Sequence, residues 1–567
     1  MPAQRLCREI LDRVPDHVGS LVLLGDMVQR DGRNKQAVKL LARALTLDPG
    51  NAAAHDTIAI AYQALGRRDD AVAHFTQALM LGLGDAETLI KHGAALAGPL
   101  RQLAGNGSGE LRLADLLGAD GASQFAGEAL LMALLQYRPV HDTTLERLLT
   151  VIRRGLLQCA AENDASILNV SSLEFFCALA RQCFINEYVF ALGDSERAQL
   201  LTLRERVAAA LATRAEVPPL DLIAAASYLP LHQLPAAETL LERSYPDAVM
   251  RLLTQQISEP RQEQADRDKI PVLTPTGDAV SLQVQQQYEE NPYPRWTALP
   301  RIAPTPVANF LSDKIGVAPE PWNTVTGPID ILIAGCGTGQ HAIDTAQRFA
   351  SSRVLAIDMS RTSLAYARRM TRALGVGNLD YAQADILELG AIDRRFDLIE
   401  AVGVLHHLAE PEAAWRLLLS LLRPNGLMFV GLYSAPARRH LGAARALIAE
   451  RGYRATADDI RASRQDLMAR NGMPPFRDFS SMSGCRDLLF NVMEHQFTIP
   501  QIAAFIAANR LNFLGFEQLP PDVHAQFRQQ FPDPSARRDL AAWHSFEQLH
   551  PYTFGNMYLF WVQKDAA

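Results

Sequence analysis

The chain has 567 residues, 48% of them hydrophobic and 21% charged, with a formal net charge of −7. That length exceeds one ordinary domain, and the composition excludes a disordered or low-complexity protein. With no excess of cations to displace counterions from phosphates, generic nucleic-acid binding is excluded as a first expectation.

Six cysteines (Cys7, Cys159, Cys177, Cys183, Cys336 and Cys485) are scattered without a C-x-x-C pair. No zinc site, other metal site or disulfide framework is expected, and a reducing, cytoplasmic compartment is. The N-terminus lacks the apolar core of a secretion signal, and no apolar run is long enough to span a membrane.

The chain opens on an internal repeat. Leu24-Gly25 align with Ile58-Ala59, Ala37 with Ala71, Leu41 with Phe75, Ala44-Leu45 with Ala78-Leu79, and Pro15 with Pro49, each pair 34 residues apart. Period and small residues together resemble the tetratricopeptide repeat; a third copy is expected near Asp85 to Leu96. Repeats of this kind make a concave surface for a protein or peptide, or a contact for a homodimer. We place the repeats at 1–100, then a glycine-rich loop, Gly105 to Gly121.

Residues 120–257 read as a helical middle domain. Within it Phe184-Ile-Asn-Glu-Tyr-Val-Phe190 carries aromatics at a spacing that suits a core. Residues 258–275 are polar at the start and read as a linker; 276–567 read as the last domain. It opens with Gln287-Tyr288-Glu-Glu-Asn291-Pro-Tyr293-Pro-Arg295-Trp296.

The segment from Asp330 is the most informative. An apolar run ends at Ala334, Gly335, Gly337 and Gly339 follow at alternate positions, and an amphipathic stretch leads to Val354-Leu-Ala-Ile-Asp358. Strand, glycine turn, helix, strand and terminal acid form a unit in which backbone approaches a ligand and the acid takes ribose hydroxyls. The spacing is not the G-x-G-x-x-G of dinucleotide folds. Further strands are expected at 379–385, ending at Asp385-Ile386, at Phe396–Val402, at Leu427–Tyr433, at Asn512–Phe516 and at Asn556–Gln563. The alternation predicts a doubly wound parallel α/β sheet.

This ordered set resembles the class I S-adenosylmethionine-dependent methyltransferases. The resemblance implies a seven-stranded Rossmann-like sheet with an antiparallel last strand, and S-adenosyl-L-methionine as cofactor. It places Gly335, Gly337 and Gly339 along the methionine half, Asp358 and Met359 at the ribose, and Asp385 and Ile386 at the adenine, with Arg295 as a further cofactor contact. Many relatives carry an acid two residues before the first glycine. Ile333 stands there, so amino-group recognition comes from elsewhere or is weaker. With the repeats, the segment Gln287–Trp296, the FINEYVF segment and Glu494-His495-Gln-Phe497, the chain resembles a bacterial subgroup that includes rickettsial outer-membrane-protein lysine methyltransferases.

That resemblance implies methylation of a protein, lysine favoured. The alternatives are a small-molecule or glycan-precursor methyltransferase, and a repeat scaffold without turnover. In-line methyl transfer asks for alignment, exclusion of water and a neutral amine. Candidate proton acceptors are His406, His407 and His495, with Tyr288 beside them. Asn291, Tyr293, Trp296, Tyr433 and Glu494 are the expected acceptor contacts. Asp487, Asn491 and Glu494 are spaced to share one helix face. An insertion at about 434–510 precedes the next strand. Its Arg438–Arg470 stretch has eight arginines against four acids and reads as a solvated helical face or a basic lid. His544 and His550, near Tyr552 and Phe554, precede the last strand.

Overall fold

A computed structural model describes residues 2–84, 90, 94–105, 113, 121–277, 279–470, 477–517 and 519–566. The expected third repeat (85–96) and the glycine-rich stretch 105–121 lie mostly outside the described residues. The chain divides into two compact units. One holds Met1–Arg261, Arg295–Arg301 and Ala455–Cys485; the other holds Gln262–Pro294, Ile302–Arg454 and Arg486–Ala567.

The first unit is helical. Its start is α1 (Pro2–Arg13), α2 (Val18–Arg30), α3 (Asn34–Leu47), α4 (Ala52–Ala64) and α5 (Arg68–Met80). α2 and α4 begin 34 residues apart, as do α3 and α5, so the sequence period is a structural one. The repeated positions make the helix crossings. Ala37, Leu41, Ala44, Ala71, Phe75 and Ala78 are buried. A Cβ on Gly25 would lie 2.6 Å from Leu41 Cγ, so the α2–α3 approach requires glycine there.

Farther on, Asp142 caps the Thr143–Glu162 helix through the Thr144 and Leu145 amides, and Asn169 with Ser172 forms a capping box for Val170–Ile185. The FINEYVF segment ends that helix. Glu187 and Tyr188 take left-handed backbone, and Phe190 is buried in the core. The polar stretch expected to be a linker is helical through Arg267.

The arginine-rich insertion is a solvated face only in part: Arg439, Arg451, Arg454 and Arg470 are exposed, whereas four other arginines turn inward. Arg464 is 1% exposed and makes two 2.9 Å bonds to Glu146. Arg461 donates to Tyr188 O and to Asp458. In the other unit Arg438 and Arg445 converge on Glu494. These four charges are taken up inside the protein, where a buried cation is tolerated only with a matched acid.

The second unit is built on seven strands: β1 (Asp330–Ala334), β2 (Arg353–Asp358), β3 (Leu379–Gln383), β4 (Phe396–Val402), β5 (Leu422–Tyr433), β6 (Leu511–Phe516) and β7 (Met557–Lys564). Their order is β3-β2-β1-β4-β5-β7-β6. β7 runs antiparallel to β5 and β6; the β1–β2, β2–β3, β1–β4 and β4–β5 pairs are parallel. Strand alternation divides the core. Leu332, Ala334, Ile399, Ala401, Met428 and Val430 enter one large apolar cluster. Ile331, Ile333, Glu400 and Phe429 take the opposite face. Strand order reverses between β1 and β4, and such a switch point opens a crevice at the strands' C-terminal ends.

Candidate active site

That crevice holds a cavity of about 400 Å³, lined entirely from the second unit. The glycine turn forms its floor. Gly335 and Gly337 line it; Gly339 does not. Gly337 has φ +52, and a Cβ on it would stand 2.4 Å from Tyr293 O. Gly339 instead starts the Gln340–Arg348 helix and admits Ala367, which a Cβ would meet at 2.5 Å.

The segment before the sheet is tied across this turn. Glu289 accepts the Arg361 amide at 2.7 Å, and Ser360 Oγ donates to Tyr288 O at 3.0 Å. The Thr338 amide and hydroxyl donate to Tyr293 O and Pro294 O, at 3.2 and 2.5 Å. Val284, Tyr288, Tyr293 and Pro294 thereby join the wall.

On one side stand Asp358, Met359, Ala384, Ile386 and Leu408. Asp358 accepts the Gly337 amide (2.8 Å) and the Ser360 amide (2.9 Å). Burial pushes its carboxyl up to about 6, against those two amide bonds. Asp385 lies between two lining residues but is itself 1% exposed. Its Oδ1 accepts the Leu387 amide, and its Oδ2 has no hydrogen-bond partner among the described residues.

On another side Tyr288, Tyr433, His407 and Asp487 converge. Tyr288 Oη donates to Asp487 Oδ1 at 2.7 Å, Asn491 Nδ2 to the same oxygen at 3.0 Å, and Tyr433 Oη to Oδ2 at 3.3 Å. Burial, then Asp487, hold the Tyr288 phenol far above its usual range, so it stays a donor. His407 Nδ1 sits 2.8 Å from Met493 O, so this nitrogen carries the proton. Nε2 is then the acceptor in the neutral ring, 4.0 Å from Asp487 Oδ1.

The adjacent histidines divide differently from the expectation. The short 3₁₀ turn Leu405–His407 puts His407 on the wall and His406 behind it, fully buried. Burial, with His407, Arg438 and His495 nearby, drives His406 well below its usual range and keeps it neutral. Its ring stacks on Tyr433 at 3.7 Å, and Arg438 lies over the same ring at 3.7 Å. Two groups at that distance cannot share one face, so they clamp Tyr433 between them.

Several expected site residues are off the wall. Glu494 spends both oxygens on Arg438 and Arg445, supporting the Tyr433 clamp from behind. His495 donates its amide to His406 O, and Asn291 accepts from Arg486. The Met482–Phe490 helix ends before Asn491, so no single helix face presents Asp487, Asn491 and Glu494. Arg295 and Trp296 belong to the first unit, where Arg295 stacks over Phe184 at 5.0 Å. His544 lies on the Leu540–Leu549 helix, and neither it nor His550 lines the cavity. Among the described residues no cluster of three or more His, Cys, Asp or Glu side chains is arranged to hold a metal. Gln340, His341, Asp344 and Met557 line the cavity without having been singled out from the sequence. His341 and Asp344, one helical turn apart just past the glycines, were the signal available.

The family described as "Methyltransferase domain" matches residues 331–426, and that described as "Tetratricopeptide repeat" matches 29–87. An uncharacterised protein of Synechococcus sp. is 34% identical over 112 residues, 20% of this chain and 27% of that one. The ubiquinone biosynthesis O-methyltransferase of Methylocella silvestris is 36% identical over 99 residues, 18% of this chain and 38% of that one. The chain thus spans well under two thirds of either relative. The structure of PKMT2 from Rickettsia typhi in complex with AdoHcy aligns with TM-score 0.34 and 17% identity, over 46% of this chain and 53% of that chain. Residues 331–426 form a methyltransferase domain, carried on the same chain as a tetratricopeptide repeat at residues 29–87.

Proposed function

We propose that this chain is an S-adenosylmethionine-dependent methyltransferase acting on an amine of a protein, lysine favoured. The cavity suits the cofactor on three counts. The Gly335–Gly337 floor is closed to any Cβ at Gly337. The Asp358 carboxylate, held only by amides, is placed to accept hydroxyl donors. Ala384 and Ile386, on either side of the buried Asp385, line the cavity where an adenine ring would lie. Bound there, the cofactor supplies a methyl on a sulfonium, an electrophile with a thioether leaving group.

The acceptor reading rests on one observation: a buried carboxylate, Asp487, faces the cavity with two tyrosine hydroxyls and one amide on it and, among the described residues, no arginine or lysine bonded to it. A cationic amine is its natural guest, and the faces of Tyr288, Tyr293 and Tyr433 suit a cation as well. His407 Nε2 takes the amine proton. Asp487 would then align the neutral nitrogen, its lone pair directed at the methyl group that the bound cofactor would supply. The aromatics exclude water. The repeats serve as recruiter of the protein acceptor, the compartment is the cytoplasm, and self-association is through the helical unit. No helix among the described residues is long and apolar enough to cross a membrane.

The test is transfer of labelled methyl from S-adenosylmethionine to a bacterial extract, followed by mass spectrometry of the labelled product. Methyl-lysine in protein is the expected outcome. Label confined to the small-molecule filtrate would overturn the protein reading and favour the second one, small-molecule O-methylation, to which the likeness to a ubiquinone biosynthesis O-methyltransferase points. No cofactor binding and no turnover would leave a repeat scaffold.

A further inference from the structure

β1 brings no carboxylate to the cavity: Ile333 stands at its end. Across the sheet Ile333 pairs in register with Glu400 on β4, and strand alternation puts both on the same face. Glu400 is 2% exposed and does not reach the wall. It accepts Thr345 Oγ1 at 2.8 Å, and its Oε2 lies 2.7 Å from His341 Nε2. His341 does reach the wall, as do Gln340 and Asp344 from the same helix. Asp344 Oδ1 is buried without a hydrogen-bond partner among the described residues. Around these polar groups the wall is apolar: Ile333, Val402 and Met557. A few polar groups in an apolar lining are what orient a ligand.

The two wall residues carry opposite demands. Burial pulls the His341 imidazole down, but Glu400, with Asp344 adding to it, outweighs burial and the net shift is upward, so the ring tends to hold its proton. Burial pushes Asp344 upward, against the opposing pull of His341 and Arg348. The two groups act on each other, and side by side they present one positive and one negative charge to the cavity, Asp344 Oδ1 still without a hydrogen-bond partner among the described residues. An α-amino acid end, ammonium beside carboxylate, satisfies both.

We propose that the Gln340–Arg348 helix reads the amino-acid end of the S-adenosyl ligand, Asp344 taking its ammonium and His341, oriented by Glu400, its carboxylate. The acid absent from β1 is thereby replaced from the following helix and from β4. This assignment rests on the cofactor reading above.

Calorimetry with two ligands separates the two ideas. S-adenosylhomocysteine carries the amino-acid end; 5′-methylthioadenosine has the same nucleoside without it. In the full chain Asp344→Asn and His341→Gln should each weaken S-adenosylhomocysteine about tenfold or more, the usual worth of one charge-assisted bond. Both should leave 5′-methylthioadenosine within about twofold of wild type. Glu400→Gln should behave like His341→Gln; melting of the ligand-free variants checks that each is folded, and the half-buried Asp344→Asn carries the test if the buried Glu400 variant is not. Equal losses for both ligands, or an unchanged S-adenosylhomocysteine affinity, would overturn the proposal. A wild-type protein that binds neither ligand would instead overturn the cofactor reading.

Discussion

The nucleoside side of the cavity wall comes largely from a single run of chain, Ile333 to Ile386, in which the ends of three strands, the glycine turn and the helix after it deliver the groups in order. The opposite side is assembled from Tyr288, Tyr293, His407, Tyr433 and Asp487. Its shortest bond, Tyr288 to Asp487, joins residues 199 positions apart. The first geometry is inherited from the sheet, so it survives wherever the sheet forms. The second depends on helices and loops added around the sheet, and is where one fold can be adapted to different acceptors. Substitutions on the two sides should therefore separate cleanly, one set moving cofactor affinity and the other moving turnover.

The largest separation is expected at Asp487. Asp487→Asn keeps the shape and removes the charge that would face the proposed amine. Losing one partner of a buried charged contact costs about 2–5 kcal/mol, so kcat/KM for the acceptor should fall about a hundredfold or more, while calorimetry finds S-adenosylhomocysteine binding within about twofold of wild type. Equal loss of both would mean that the two sides form one site, and the division drawn here would fail.

Asp358→Ala is the reciprocal experiment. It removes the carboxylate that would accept ribose hydroxyls and strands the Gly337 and Ser360 amides. Each charge-assisted bond is worth about 1.5–3 kcal/mol, so 5′-methylthioadenosine affinity should fall at least about tenfold. Under saturating cofactor, kcat should be largely kept. An unchanged affinity would remove Asp358 from the ligand.

These two residues also mark how far the sequence could be read. Asp358 follows a glycine turn at the end of an apolar run, so strand period and position alone assign it. The fold was legible for the same reason: five strands and their turns occur in chain order, each with its own local signal. Asp487 stood out only for its spacing to Asn491 and Glu494, and that helix ends at Phe490. Nothing local distinguishes His407 from His406, because a one-residue rotation in a 3₁₀ turn decides which ring meets the cavity. The arginines of the insertion that turn inward were not legible because their acids, Glu146 for Arg464 and Glu494 for Arg438, are remote in sequence.

A pH titration sharpens the contrast further. Asp358 sits at about 6 when folded against 3.8 as its ordinary value. Between those values the folded, ligand-free protein binds the extra proton. The Asp358 contribution to stability therefore improves as pH falls through that window, and its burial cost is fully present only above about 6. Hydroxyl donors prefer the carboxylate, so ligand binding should run the other way. Affinity for 5′-methylthioadenosine should weaken by up to about tenfold between pH 7 and 5, and Asp358→Ala should flatten that slope. A slope that persists in the variant would assign the proton to another group.

The smallest expected effects lie within the acceptor side, where Tyr288 and Tyr433 both address Asp487. Tyr288 Oη is at 2.7 Å and carries the short bond; Tyr433 Oη is at 3.3 Å and carries a weak one. The Tyr433 ring, by contrast, is fixed by its clamp between His406 and Arg438, so its position does not depend on its hydroxyl. Removing a hydroxyl bonded to a charged group costs about 1.5–3 kcal/mol when the bond is good and little when it is long. Tyr288→Phe should thus lower kcat/KM about tenfold, and Tyr433→Phe by no more than about twofold. Arg438→Ala, which releases the Tyr433 clamp, should cost more activity than Tyr433→Phe although it touches no reacting atom. If Tyr433→Phe is the most damaging of the three, the hydroxyl of Tyr433 contacts the acceptor itself, and Asp487 is not the centre of that side of the cavity.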